Sequence, residues 1–175
     1  REARVASLYF FARSKSNMSA KGFYTAQEGH VVNALPPIDI SSGKFSDVWS
    51  MKNYQHCTII VQVGVSAAAF TKIIVNACDD FVPTTRTALA YTLFSEETPA
   101  GDTLAAKEAV AAAGKTPSAA DTIMYVIEVD ASELPSGSPN LEVSLTNGVN
   151  SVIASVVAIL SGARYAEDQS ATAIV

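Results

Sequence analysis

The chain has 175 residues, of which 49% are hydrophobic and 17% charged, and a formal net charge of -5. That size fits a single domain with a core large enough to need no staples, and the composition excludes a disordered chain. The acidic balance, with no Lys/Arg cluster beyond the first 21 residues, argues against a nucleic-acid surface.

Residues 1–17, REARVASLYFFARSKSN, are basic and polar around Leu8, Tyr9, Phe10 and Phe11. Two readings stand: an extension upstream of a natural start at Met18, or an arm that packs on a neighbouring subunit. Arg4 and Arg13 crowd the apolar patch and no small-residue cleavage site follows, so a signal peptide is not expected. Residues 18–175 are read as one domain with a tail from about 163. Lys21–Ala26 is a candidate short strand. His30–Leu35 is a better one, stopped by Pro36-Pro37, and Phe45–Met51 is another, with Val48 and Trp49 its bulk.

The centre of the chain is 57–80, CTIIVQVGVSAAAFTKIIVNACDD. Ile59, Val61, Val63 and Val65 share one parity, hence one face of a strand; Ile73, Val75 and Ala77 do the same in the next run. Read as a hairpin, Ile59, Val61 and Val63 oppose Ala77, Val75 and Ile73. That register puts Cys57 and Cys78 on opposite faces, so they are expected as buried free thiols made in a reducing compartment. Strands that lie in different sheets would void this register.

Thr87–Phe94 alternates, with Leu89, Tyr91 and Leu93 on one face. The Ala-rich stretch 104–113 reads as one short helix capped by Asp102 or Thr103 and ended by Gly114, although an irregular excursion or a small-residue strand fits nearly as well. In 121–130, Ile123, Tyr125, Ile127 and Val129 form one face. In Asn140–Thr146, Leu141, Val143 and Leu145 face inward, Glu142 and Ser144 outward, and Asn147-Gly148 signals a tight turn. The last strand, Ser151–Ser161, is apolar on both faces: Val152, Ala154, Val156 and Ala158 against Ile153, Val157 and Ile159. Such a strand lies mid-sandwich or under a partner. Its longest apolar run, 149–160, is too short and too broken by Asn150, Ser151 and Ser155 to span a bilayer. Seven or eight strands with turns between them predict an all-β fold, an antiparallel β-sandwich.

Chemistry-bearing residues are few. His30 and His56 with Cys57 and Cys78 lack the close pairing of a metal site, and His56 and Cys57 point to opposite faces of one strand. Thiols inside apolar strands are inert, so a Cys-His nucleophile is not expected. Asp79-Asp80, Glu96-Glu97 and Glu167-Asp168 read as solvated loops, with Asp79-Asp80 the best placed because it ends a strand. No catalytic residue, cofactor site or metal site is assigned. Arg164 and Tyr165, after the last strand, are candidate interface anchors together with Ile153, Val157 and Ile159.

Four segments carry a resemblance: KGFYTAQEGHVVNALPPIDI; WSMKNYQHCTIIVQVGV; ACDDF with YTLFSEET; and YVIEVDASELPSG with the closing SGARYAEDQSATAIV. Together they resemble a family of small structural proteins encoded beside the major capsid protein in tailed bacteriophages. The similarity runs from about Met18 to the end. It implies a jelly-roll-like sandwich without enzymatic activity, made in the host cytoplasm and placed on the capsid surface as a decoration or minor capsid protein. The implied partners are the major capsid protein and the chain itself, a trimer matching a threefold position. Two other classes compete: a carbohydrate- or receptor-binding sandwich, which needs aromatic residues on loops, and a hydrolase, which needs a polar constellation around a histidine.

Overall fold

Alternating side chains in 54–66, 124–130, 140–146 and 152–163 dictate strands with one apolar face, and two such faces closing on each other make the core. The structure is a computed structural model that describes residues 25–66, 70–96, 104–118, 122–148, 150–164 and 173–174. After a single helical turn, α1 (Thr25–Glu28), come β1 (His30–Asp39), β2 (Lys44–Phe45), β3 (Val48–Ser50), β4 (Tyr54–Ser66), β5 (Lys72–Cys78) and β6 (Arg86–Ala88). Then follow β7 (Tyr91–Glu96), β8 (Glu108–Val110), β9 (Met124–Asp130), β10 (Asn140–Thr146), β11 (Val152–Ala163) and β12 (Ala173–Ile174).

One sheet has the order β1-β11-β4-β9-β7-β8. The other has β12-β3-β10-β5-β6, with β2 also paired to β10. Every pairing is antiparallel. Stripped of β2, β7, β8 and β12, the orders are 1-11-4-9 and 3-10-5-6, with the chain crossing between sheets at most connections. That is the jelly roll, two nested Greek keys. The strand count exceeds the expected seven or eight because several strands have only two or three residues.

The inner faces carry the expected residues except Val65, which is 72% exposed because it lies near the end of β4, past the core. Ile59, Val61 and Val63 of β4, Tyr125, Ile127 and Val129 of β9, and Val152, Ala154, Val156 and Ala158 of β11 meet Ile73, Val75, Leu141, Val143 and Leu145 from the second sheet. All are buried, as is Trp49 of β3. Each buried Val, Leu or Ile contributes about 1.5–3 kcal/mol relative to exposure.

Several expectations are corrected. The predicted hairpin between the two central strands does not exist: β4 and β5 lie in different sheets. Cys57 is flanked by Leu160 and Val129, Cys78 by Asn140 and Arg86. Both thiols are free and buried, but for a different reason than the proposed register. Pro36-Pro37 does not stop β1, which runs on to Asp39 through two register shifts. It is an edge strand, where a missing N–H costs no ladder bond. Phe45–Met51 divides into β2 and β3, and Thr87–Phe94 into β6 and β7, which belong to different sheets. The bend falls at Leu89-Ala90, yet Leu89, Tyr91 and Leu93 all remain buried. Asn147-Gly148 lies between β10 and β11, which belong to opposite sheets, and Asn147 Nδ2 donates to Asn150 O at 2.9 Å. Of the candidate strand Lys21–Ala26, residues 21–24 lie outside the described residues and Thr25-Ala26 begins α1.

The helix expected at 104–113 is not formed over 104–113 where described. Residues 104–107 are irregular and β8 pairs with β7. High Ala propensity loses to tertiary pairing. The following loop crosses to the other sheet: Ile73 N–H donates to Lys115 O (2.9 Å), Lys115 N–H donates to Ile73 O (3.0 Å), and the Tyr91 hydroxyl donates to the same carbonyl (2.8 Å). Gly114 makes this approach possible. Its φ is +82°, and a Cβ there would lie 2.5 Å from Ile73 O.

Glu142 and Ser144 point away from the core as expected but are buried nonetheless, on the outer face of the second sheet. Arg86 covers Glu142: Nε donates to Oε2 at 2.7 Å and Nη2 to Oε1 at 3.2 Å. The guanidinium also lies 4.8 Å over the Phe45 ring.

Gly114→Ala should destabilise the fold by more than about 1 kcal/mol, combining a left-handed φ with a backbone clash; an unchanged denaturation midpoint would contradict this. Arg86→Ala strands a carboxylate that is 2% exposed, while Arg86 itself is 38% exposed. The loss should be about 2 kcal/mol, short of the cost for a fully buried pair, and Arg86→Ala/Glu142→Gln should recover part of it in the same urea titration.

Candidate interaction surface

Residues directly opposed on antiparallel strands point the same way. On the outer face of the larger sheet this rule lines up Val157 of β11, Ile60 of β4, Val126 of β9 and Phe94 of β7 in one row across four strands. All four are partly exposed. The row beside it begins with Val31, 50% exposed, and Ile159. Farther along β11, Ile153 is 42% exposed. The result is an apolar stripe facing away from the core, on the face where an uncovered antiparallel sheet ordinarily carries polar side chains.

Next to the stripe the face turns polar. Thr58 and Glu128 oppose each other, as do His56 and Asp130. His56 Nε2–H donates to Glu128 Oε2 at 2.6 Å and Nδ1–H to Asp130 Oδ1 at 2.8 Å; the Thr58 hydroxyl donates to Glu128 Oε2 at 2.8 Å. With a carboxylate oxygen at each ring nitrogen, the imidazolium is the form that satisfies both. Partial burial is the largest single influence and lowers the His56 pKa. The hydrogen bonds to Asp130 and Glu128 and their charges together outweigh it, so the net shift is upward from 6.5. The clasp joins β4 to β9 on the solvent side.

The sequence-derived candidates fall in two places. Ile153, Val157 and Ile159 do lie together, on the outer face of β11. Arg164 lies beyond the end of β11, exposed, its backbone N–H donating to Asn53 O at 2.8 Å. Tyr165 lies outside the described residues. Ile60, Val126 and Phe94 were not singled out in the sequence. Their outward parity is legible there, but their adjacency needs the strand order. Of the acidic pairs, Asp79-Asp80 is a built loop, and Glu97 and Glu167-Asp168 lie outside the described residues.

The remaining chemical groups are held apart. His30 stacks on Tyr54, with ring centroids 6.1 Å apart. Cys57 points into the core while His56 points out, as the alternation requires. Burial pushes the Cys57 and Cys78 thiols up to about 12, leaving neutral sulfur. Among the described residues no three His, Cys, Asp or Glu side chains form a group that could hold a metal ion. No described helix is long and apolar enough to cross a membrane.

Fold and surface together define a jelly-roll β-sandwich with a partly exposed apolar stripe on its larger sheet. Compared with protein-family models, curated proteins and solved structures, the chain has no significant match.

A histidine whose folded pKa is raised contributes stability below its unfolded value near 6.5, and that contribution is lost as pH rises through the folded pKa. Nuclear magnetic resonance titration should therefore place His56 above 6.5, and the wild-type chain should lose stability as pH rises through that value. His56→Gln should remove this pH-dependent component; an identical pH profile in the variant would show that the clasp does not contribute.

Proposed function

We propose that the chain is a non-enzymatic structural protein of a bacteriophage virion, binding the capsid shell as a decoration or minor capsid protein. The observation that carries this reading is the apolar row Val157–Ile60–Val126–Phe94, partly open on an outer sheet face and continued by the more exposed Val31 and Ile153. The jelly roll is consistent with it, being an architecture that recurs in viral capsid and lectin domains, although fold alone does not decide function. The four-segment resemblance points the same way.

In this reading the mechanism is mechanical. The stripe docks on the major capsid protein, and the polar clasp at His56 borders the contact as part of a polar rim. Because the site on the shell is complete only after assembly, binding draws the equilibrium toward the assembled lattice by mass action. The competing lectin-like reading requires exposed aromatic side chains. Among the described residues, Phe45 is the one aromatic among the strongly exposed large hydrophobics, and Arg86 lies over it.

The test is co-sedimentation with empty capsid shells of the virus that encodes the chain. The wild-type chain should pellet with the shells. Ile60→Thr/Val126→Thr keeps β-branched side chains but wets the stripe, and should lose pelleting at an unchanged melting temperature. Wild-type protein left in the supernatant, or a double variant that pellets equally well, would overturn the reading.

A further inference from the structure

One end of the sandwich carries two features that the shell-binding reading does not use. The first is a cleft of ≈ 230 Å³ lined by Met51, Leu134, Pro135 and Pro139 and flanked by Lys52 and Arg164. Met51 is fully buried, while the two basic side chains are exposed. Among the described residues neither Lys52 nor Arg164 makes an ion pair. Two cations beside a hollow edged by Leu134, Pro135 and Pro139 suit an aliphatic side chain that arrives with a carboxylate.

The second feature is the loop 79–85. Asp79 Oδ1 accepts from the backbone N–H groups of Asp80 (3.0 Å), Thr84 (3.1 Å) and Thr85 (3.1 Å), and Oδ2 accepts from the Thr84 hydroxyl (2.5 Å). Asp80 Oδ1 accepts from Phe81 N–H at 2.8 Å, and Arg86 Nη1 reaches Pro83 O at 3.4 Å. At the tip, Val82 is 82% exposed, the highest value among the exposed large hydrophobics described. A hydrophobe held out on so heavily pinned a loop is preorganised, so binding it costs little conformational entropy.

The two features lie at the same end. β5 ends at Cys78 opposite Asn140, and Asn140 lies opposite Ser50 on its other side. The loop therefore leaves the sheet beside Pro139 and Met51, which line the cleft. Knob and hollow also match in charge: Asp80 accompanies the valine, and Lys52 and Arg164 flank the hollow.

We propose that this end is a self-association surface, in which Val82 of one copy enters the Met51–Leu134–Pro139 cleft of a second copy and Asp80 faces Lys52 and Arg164. Identical subunits joined by such a contact form a dimer if it is reciprocal, and a ring if it runs head to tail with a rotation that closes. The contact is separate from the stripe on the larger sheet and stands whether or not the chain binds a shell.

Sedimentation equilibrium of the full chain across a concentration series tests it. The wild-type chain should form a closed oligomer. Val82→Asp and Arg164→Glu should each weaken association by about 30-fold or more, as for a hot-spot side chain. Both sites are exposed, so each variant should remain folded by circular dichroism; should one variant unfold, the other decides. Leu134→Asp should also dissociate the oligomer, and mixing it with Val82→Asp should recover association into mixed pairs only, because one retains the knob and the other the hollow. A wild-type chain that stays monomeric throughout, or an oligomer indifferent to both Val82→Asp and Arg164→Glu, would overturn the proposal. Failure here leaves the shell co-sedimentation result untouched.

Discussion

The structure depends on where β11 lies. It pairs with β4 along most of its length and with β1 on its other edge, so the last long strand of the chain closes a sheet begun by the first. Both partners are more than 80 positions away in sequence, from His30↔Leu160 to Val152↔Ser66. Side-chain direction has a period of two, so a slip of one residue would turn Val152, Ala154, Val156, Ala158 and Leu160 out of the core. The burial of these five side chains, all at 1% exposure or less, holds the register. From that register follow the apolar row on the opposite face and the position of Arg164 at the strand's end.

Alternation between sheets has a second consequence. Because the chain crosses from one sheet to the other at most turns, each sheet has an outer face that the jelly roll does not itself cover. The two faces are treated differently. On the smaller sheet, Glu142 is buried under Arg86, whose guanidinium spans from the carboxylate to the Phe45 ring. On the larger sheet, the His56 clasp holds one border of the face while Val157, Ile60, Val126 and Phe94 remain partly open. On the smaller sheet the buried carboxylate is thus satisfied within the chain, whereas the larger sheet keeps a partly open apolar row.

Much of the core was legible from parity alone. Ile123, Tyr125, Ile127 and Val129, and likewise Leu141, Val143 and Leu145, face inward as their alternation predicts. The errors share a cause. The Cys57–Cys78 register assumed that strands adjacent in sequence pair, and in a jelly roll they generally do not. Residues 104–113 have a helix former's composition, but Glu108–Val110 found an open edge on β7, and a sheet edge outweighs a few tenths of a kcal/mol of propensity per residue. Pro36-Pro37 failed as a stop because β1 is an edge strand, which nothing local announces.

The same division holds for the sites. That Ile153, Val157 and Ile159 share a face of one strand is local geometry, and the amino-acid sequence determined it alone. So was the separation of His56 from Cys57, which alternation sends to opposite faces. Only the tertiary structure decided that Ile60, Val126 and Phe94 continue the stripe, that His56 meets Asp130 at 74 residues' separation, and that the Val82 loop and the Arg164 cleft share one end. Parity along a strand is fixed by the chirality and pleat of the backbone, whereas the order of strands is a global choice among pairings with similar local energies.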